Sequence, residues 1–256
     1  MYKRQHGGII PSYGIGHSEA QWFVRGVPNV KKAFAKVWET DDLLTSFDGV
    51  SLWRPWNIDP SWKTQSGQAW FHIDQHPISK PGKQCIQGLI NLLPTSKEIG
   101  GNVVIPKSHN FFKDIPDEYK ERVERLPLDI DHFRFPHDDP KLSSEPAVMA
   151  HMEPGDMLLW DSRTIHCSSS GSSLPEGSND LIRAASLICM MPKELSSKEI
   201  LKKRIHSAEN LVSTTNWTND FRNADEFPVI LEAENRDQYK WPKKPNLSDY
   251  QKELIA

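Results

Sequence analysis

The sequence predicts one mainly β domain, a sandwich or barrel with flanking helices. Short apolar runs bounded by turn residues recur at 85–93, 103–105, 147–152, 157–160 and 181–191, as expected for strands buried between sheets. A helical pattern lies on either side of these runs, at 28–39 and beyond 195. The 256 residues, 37% apolar and 25% charged, are enough for one sizeable core, and neither an internal repeat nor a strong linker divides them. We therefore expect a single domain over 1–256, with its barrel at about 50–192.

In chain order, residues 28–39 place Val30, Phe34, Val37 and Trp38 on one face and Lys on the other, and Pro28 suits a first helical turn. Residues 41–47 read as a short helix, followed by a turn at Asp48-Gly49 and a strand through Trp53. A loop crowded with Trp53, Trp56 and Trp62 leads to the segment Trp70-Phe71-His72-Ile73-Asp74. Between the later runs, 94–101 reads as a loop. Residues 106–145 form a long polar, proline-punctuated excursion of the kind that often serves as a functional lid. The Ser- and Gly-rich text 168–180 reads as a flexible insert. Ile200, Leu201, Ile205, Ala208 and Leu211 mark a C-terminal helix packed on the outside of the barrel.

The formal net charge of −3, with acids and bases interspersed, gives no electrostatic reason to expect a nucleic acid partner, so a small molecule is expected. Three cysteines, Cys85, Cys167 and Cys189, lie in apolar text without the pattern of a disulfide scaffold, which suits a reducing compartment. The N-terminal text lacks a signal-peptide core, and no run reaches the roughly 18 apolar residues of a membrane helix. The expectation is a soluble, cytoplasmic protein, with the sequons at Asn216 and Asn246 read as chance.

One constellation carries the chemistry. Alternate residues of a strand share a face, so His72 and Asp74 present an imidazole and a carboxylate side by side, and His166 supplies a second imidazole from a later strand. Two imidazoles and one carboxylate on one face of an octahedral metal leave the opposite positions open, the arrangement of Fe(II) oxygenases. His72-x-x-x-His76 has the spacing of a zinc helix, but Pro77 and the strand setting argue against it, leaving His76 and Gln75 as rim residues. His109, His132, His137 and His151 read as surface or core polar residues.

The texts Gly100-Gly101-Asn102-Val103-Val104-Ile105-Pro106-Lys107-Ser108-His109 and Pro154-Gly155-Asp156 through His166 resemble, in order, two motifs of the phytanoyl-CoA dioxygenase family of Fe(II)/2-oxoglutarate oxygenases. The resemblance covers roughly 68–192. It implies a double-stranded β-helix, a cupin-like jelly roll with iron at its open end, and His166 as the third ligand beside His72 and Asp74. Fe(II), 2-oxoglutarate and O2 follow as cofactors, with ascorbate as a stimulant.

Chelation through the keto acid end leaves the second carboxylate of 2-oxoglutarate to be anchored, and a guanidinium fork matches it best. The resemblance places that arginine at Arg183, 17 residues after His166, with Arg163 as the alternative. Ser168, Asn102 and Gln68 are the further candidates for cosubstrate contact. Arg54, among the tryptophans, could meet a substrate anion.

The implied reaction is hydroxylation of a C–H bond in a small metabolite or natural-product intermediate, with release of succinate and CO2. Related halogenases lack the carboxylate that Asp74 provides, so hydroxylation, desaturation or cyclisation is expected. The alternatives are a jelly-roll protein that only binds a ligand and a cupin-like metal enzyme that does not use 2-oxoglutarate. The family's name does not carry its acyl-CoA substrate over.

Overall fold

The computed structural model describes residues 8–64, 70–174, 176–222, 224 and 242–256. In chain order the elements are β1 (Ile9–Ile10), α1 (Glu19–Arg25), α2 (Pro28–Trp38), β2 (Leu43–Thr45), β3 (Val50–Trp53), β4 (His72–Asp74), β5 (Ile86–Asn91) and β6 (Gly100–Val104). There follow α3 (Ile115–Glu118), α4 (Lys120–Glu124), β7 (His132–Arg134), β8 (Val148–Met149), β9 (Met157–Asp161), β10 (His166–Ser170), β11 (Arg183–Pro192), α5 (Lys198–Asn210) and α6 (Asp249–Glu253). Among the described residues, one sheet runs β1-β3-β11-β5-β9 with β2 beside β11, and the other runs β7-β4-β10-β6-β8. The two antiparallel sheets enclose a polar interior as a jelly roll.

Strand alternation decides what faces that interior. On β4 and β10, Ile73 and Cys167 pack outward into an apolar cluster with Phe112, Ile115, Val123 and Phe133 of the 106–145 excursion. Their neighbours His72, Asp74, His166 and Ser168 line the interior. On β11, Ile188 and Met190 meet Val30 and Phe34 of α2, and Arg183, Leu187 and Cys189 face inward. The 106–145 excursion is therefore not a detached flap. It contributes a strand, with Phe133 opposite Ile73 and His132 opposite Asp74.

Three local expectations are corrected. Residues 43–45 form a strand rather than a helix, because Leu43, Leu44 and Thr45 pair with Pro192, Met191 and Met190. The first residues of the supposed 168–180 insert belong to β10, where Ser168, Ser169 and Ser170 pair with Asn102, Gly101 and Gly100. On α5 the buried residues are Arg204 and Ser207, while Ile205 is exposed. The Arg204 guanidinium donates to the carbonyls of Thr45 (2.6 Å), Ile255 (2.8 Å), Thr218 and Leu254 (both 3.2 Å), tying the C-terminal segments to β2.

Gly100 opens β6 at φ +99°, and a Cβ there would run into the Ser169 carbonyl oxygen of β10. Gly100→Ala should therefore lower folding stability by about 2–3 kcal/mol, read as a fall in Tm. An unchanged Tm would contradict the β6–β10 register. Cys85, Cys167 and Cys189 are buried free thiols. No helix among the described residues is long and apolar enough to cross a membrane.

Candidate metal centre

His166 sits directly opposite His72 in the β4–β10 ladder, and their ring centroids lie 4.4 Å apart. The Nε2 atoms of His72 and His166 approach the two oxygens of Asp74 at 3.4 and 3.3 Å. Both Nδ1 atoms are engaged by backbone: His72 Nδ1 lies 2.9 Å from the Trp70 carbonyl and His166 Nδ1 lies 2.8 Å from the Thr164 carbonyl. A carbonyl only accepts, so the hydrogen-bond network assigns the proton to Nδ1 and leaves Nε2 with its lone pair. Two lone pairs then face a carboxylate at close range. A cation between them resolves the clash, and orientation of the imidazole through its second nitrogen is the usual support of a metal-bound histidine.

Burial and charge around the site agree with this donor set. Burial pushes the His72 pKa down to about 4 against the pull of Asp74, so the ring is neutral at physiological pH. Burial works against ionisation of Asp74, but positive charge on His72 and hydrogen bonds from the facing imidazoles hold its carboxyl well below its usual range, a part that a bound cation takes over where their Nε2 atoms carry lone pairs. The ring of Trp70 stacks on His72 with centroids 4.9 Å apart, and its Nε1 donates to the Ser168 carbonyl at 2.8 Å, fixing β4 to β10.

Deeper in the barrel lies a cavity of about 80 Å3, lined from both sheets by residues that include Ser51, Gln87, Asn102, Ser168 and Arg183. Arg183 is buried beside Trp53, with its guanidinium carbon 4.5 Å from the ring centroid. Its hydrogen bonds to Ser51 and Ser168 are long, 3.4 Å each, and no carboxylate pairs with it among the described residues. Burial lowers its pKa to about 10, so it stays charged. A buried guanidinium beside two hydroxyls, with no carboxylate partner among the described residues, could receive an anion. Arg163 is unsuited to that part, because Asp161 neutralises it with bonds of 2.9 and 2.7 Å.

The structure thus brings His72, Asp74 and His166 together, and places Arg183, Ser168 and Asn102 around the adjoining cavity. Asn102 is paired with Ser168 across the ladder, and its buried Oδ1 has no hydrogen-bond partner among the described residues. Gln68 lies outside the described residues. His76 and Gln75 are fully buried rather than at a rim: His76 Nδ1 accepts from the backbone of Ile78 and Ser79, and Gln75 donates to the carbonyls of Lys80 and Gly82. Arg54 stacks over Trp62 at 4.1 Å.

Three residues escaped the sequence reading. Gln87 of β5 reaches across the barrel and donates to Asp74 Oδ2 at 3.1 Å, and its only signal was a polar residue in an apolar run. Asp48 lines the same cavity, and burial pushes its carboxyl up to about 6. His132 has Nδ1 3.5 Å from Asp74 Oδ1, so His72, Asp74 and His132 form a second group able to hold a metal ion. Its side chain is 45% exposed, against 4% for His166.

Residues 48–174 match the sequence profile of the phytanoyl-CoA dioxygenase family. The chain is 34% identical over 211 residues to the "Ava biosynthesis cluster protein O" of Aspergillus versicolor, covering 79% of this chain and 64% of that protein. It is 22% identical over 253 residues to a Dictyostelium discoideum protein named for the phytanoyl-CoA dioxygenases, covering 85% of this chain and 68% of that one. Among solved structures, GlcNAc-inducible gene 2 of Candida albicans superposes with a TM-score of 0.62 over 98% of this chain and 66% of its own, at 13% identity, which shows the shared fold. The chain therefore spans about two thirds of the length of each relative. With its jelly roll and its profile match across the His72–His166 core, the chain is similar over residues 48–174 to the phytanoyl-CoA dioxygenase family, whose cofactors are Fe(II), 2-oxoglutarate and dioxygen.

Proposed function

We propose that the chain is an Fe(II)/2-oxoglutarate-dependent oxygenase that hydroxylates a C–H bond of a small natural-product intermediate and releases succinate and CO2. The observation that supports this best is the pairing of two features: a histidine–carboxylate–histidine set with both Nδ1 protons locked, and an unpaired buried arginine in the adjoining cavity. The name of the Aspergillus versicolor relative, a biosynthesis cluster protein, favours a natural-product substrate.

In this reading His72, Asp74 and His166 hold Fe(II), and Arg183 with Ser51 and Ser168 receives the far carboxylate of 2-oxoglutarate. The bound pair supplies the dioxygen activation that side chains cannot. The chain's own task is to orient and to exclude water. Trp70 keeps His72 in plane, and Gln87 holds one oxygen of Asp74 so that the other is presented in a fixed direction. His166 is taken as the ligand in preference to His132 because it is buried, register-paired with His72 and fixed through its Nδ1.

Anaerobic titration of the ferrous protein with 2-oxoglutarate should develop a weak visible absorption band, and aerobic incubation should convert 2-oxoglutarate to succinate. Absence of both would overturn the reading in favour of a ligand-binding jelly roll. A further expectation concerns Gln87, whose Ala variant should bind ferrous ion about 10- to 100-fold more weakly, measured by competition with a colorimetric chelator. Gln87→Glu should not restore the affinity, since a carboxylate cannot donate to Asp74.

A further inference from the structure

Asp74 lines two spaces. Besides the inner cavity it borders an open cleft of about 830 Å3 on the outer side of the centre, walled by the 129–132 part of the excursion and by residues 215–222. Resting on the oxygenase reading above, we propose that this cleft receives the oxidised substrate, and that the substrate is an uncharged or amine-bearing molecule held against Asp129, not an acyl-CoA or another phosphate ester.

The argument is one of charge pairing. Arg222 bonds Asp131 at 2.8 Å and Asp220 at 2.9 Å. Lys80, packed behind the same wall, bonds these two carboxylates at 2.9 and 2.7 Å. Lys203 pairs with Glu199 at 2.9 Å. Each cation at this wall among the described residues therefore already has a carboxylate. A phosphate or diphosphate group needs unpaired guanidinium or ammonium donors to replace its hydration, and the same molecule shows in Arg183 what such a donor looks like when it is built.

The carboxylates are not all matched. Asp129 is exposed on the cleft wall, and among the described residues only its backbone carbonyl is engaged, by Arg222, and no cation pairs with its side chain. With Asp74 committed to the metal, Asp129 is the group left to meet a substrate nitrogen. The chain is similar to proteins named for an acyl-CoA substrate, yet this wall is not equipped for the coenzyme.

Thiol labelling tests the field without a known substrate. The native cysteines are buried, so Ile130→Cys, exposed on the cleft wall, gives a reporter, and Leu195→Cys gives a reference away from it. The cationic trimethylammonium-ethyl methanethiosulfonate should be favoured over the anionic sulfonatoethyl reagent on the order of tenfold more at residue 130 than at residue 195. Adding Asp129→Asn should remove most of that excess. Palmitoyl-CoA should neither slow labelling at residue 130 nor raise succinate release by the wild type. Equal reagent preference at the two sites, an excess that survives Asp129→Asn, or an effect of palmitoyl-CoA in either assay would overturn the proposal. Labelling needs no metal, so its failure leaves the ferrous titration standing, and a failed titration leaves the labelling result intact.

Discussion

Replacing His166 with Ala should abolish the 2-oxoglutarate-dependent absorption and reduce succinate release to background, whereas His132→Ala should preserve the absorption band. The pair of variants separates two ligand sets that share His72 and Asp74. His166 and His132 approach opposite oxygens of the carboxylate, at 3.3 and 3.5 Å, so distance does not choose between them. Support does. His166 is held by the Thr164 carbonyl and by its ladder position opposite His72. His132 is a half-exposed residue of the excursion, facing the open cleft. A ligand whose second nitrogen is fixed loses less rotational freedom on binding metal, and removing it strips away one of three protein donors. The expected consequence of losing His132 is a change in substrate handling: 2-oxoglutarate consumption that continues but is less tightly coupled to product. A band that survives His166→Ala and disappears in His132→Ala would reassign the third ligand.

The parts of this site legible in the sequence were those governed by strand alternation and by local pattern. His72 and Asp74 share a face because strand side chains alternate, whereas the family resemblance, not alternation, pointed to His166 and Arg183, which the structure places on the inward sides of β10 and β11. The helix over 28–38 followed from its apolar stripe and Pro28. What escaped depended on partners distant in sequence. Leu43–Thr45 is extended only because the end of β11 offers a free edge, and Ser168–Ser170 is ordered by β6 despite a composition typical of loops. The burial of Arg204 instead of Ile205 reflects four carbonyls that converge from three other segments. Gln87 and His132 reach Asp74 from the opposite sheet and from the excursion, and neither approach leaves a spacing signal in the chain.

Arg183→Leu should give the second large effect, with opposite signs for affinity and stability. Its guanidinium is almost fully buried and, among the described residues, has no carboxylate partner and leaves Nε without a hydrogen bond, so the cosubstrate-free protein bears an uncompensated desolvation cost. Removing one partner of a buried charged pair costs about 2–5 kcal/mol, so the 2-oxoglutarate dissociation constant should rise on the order of 30- to 4,000-fold. Leu is shorter than Arg and gives up part of the contact with Trp53, but it removes the uncompensated buried charge, so the variant without cosubstrate should melt at a temperature equal to or above that of the wild type. The two effects separate in one thermal-shift experiment with the metal present. Wild type should gain stability with rising 2-oxoglutarate as mass action requires, and Arg183→Leu should start no lower and fail to respond. A simple packing role for Arg183 predicts the reverse, a lower starting Tm with the cosubstrate response retained, and that outcome would remove Arg183 from the site. A variant that still turns over 2-oxoglutarate with unchanged KM would point instead to a metal enzyme of the same fold that does not depend on this anchor.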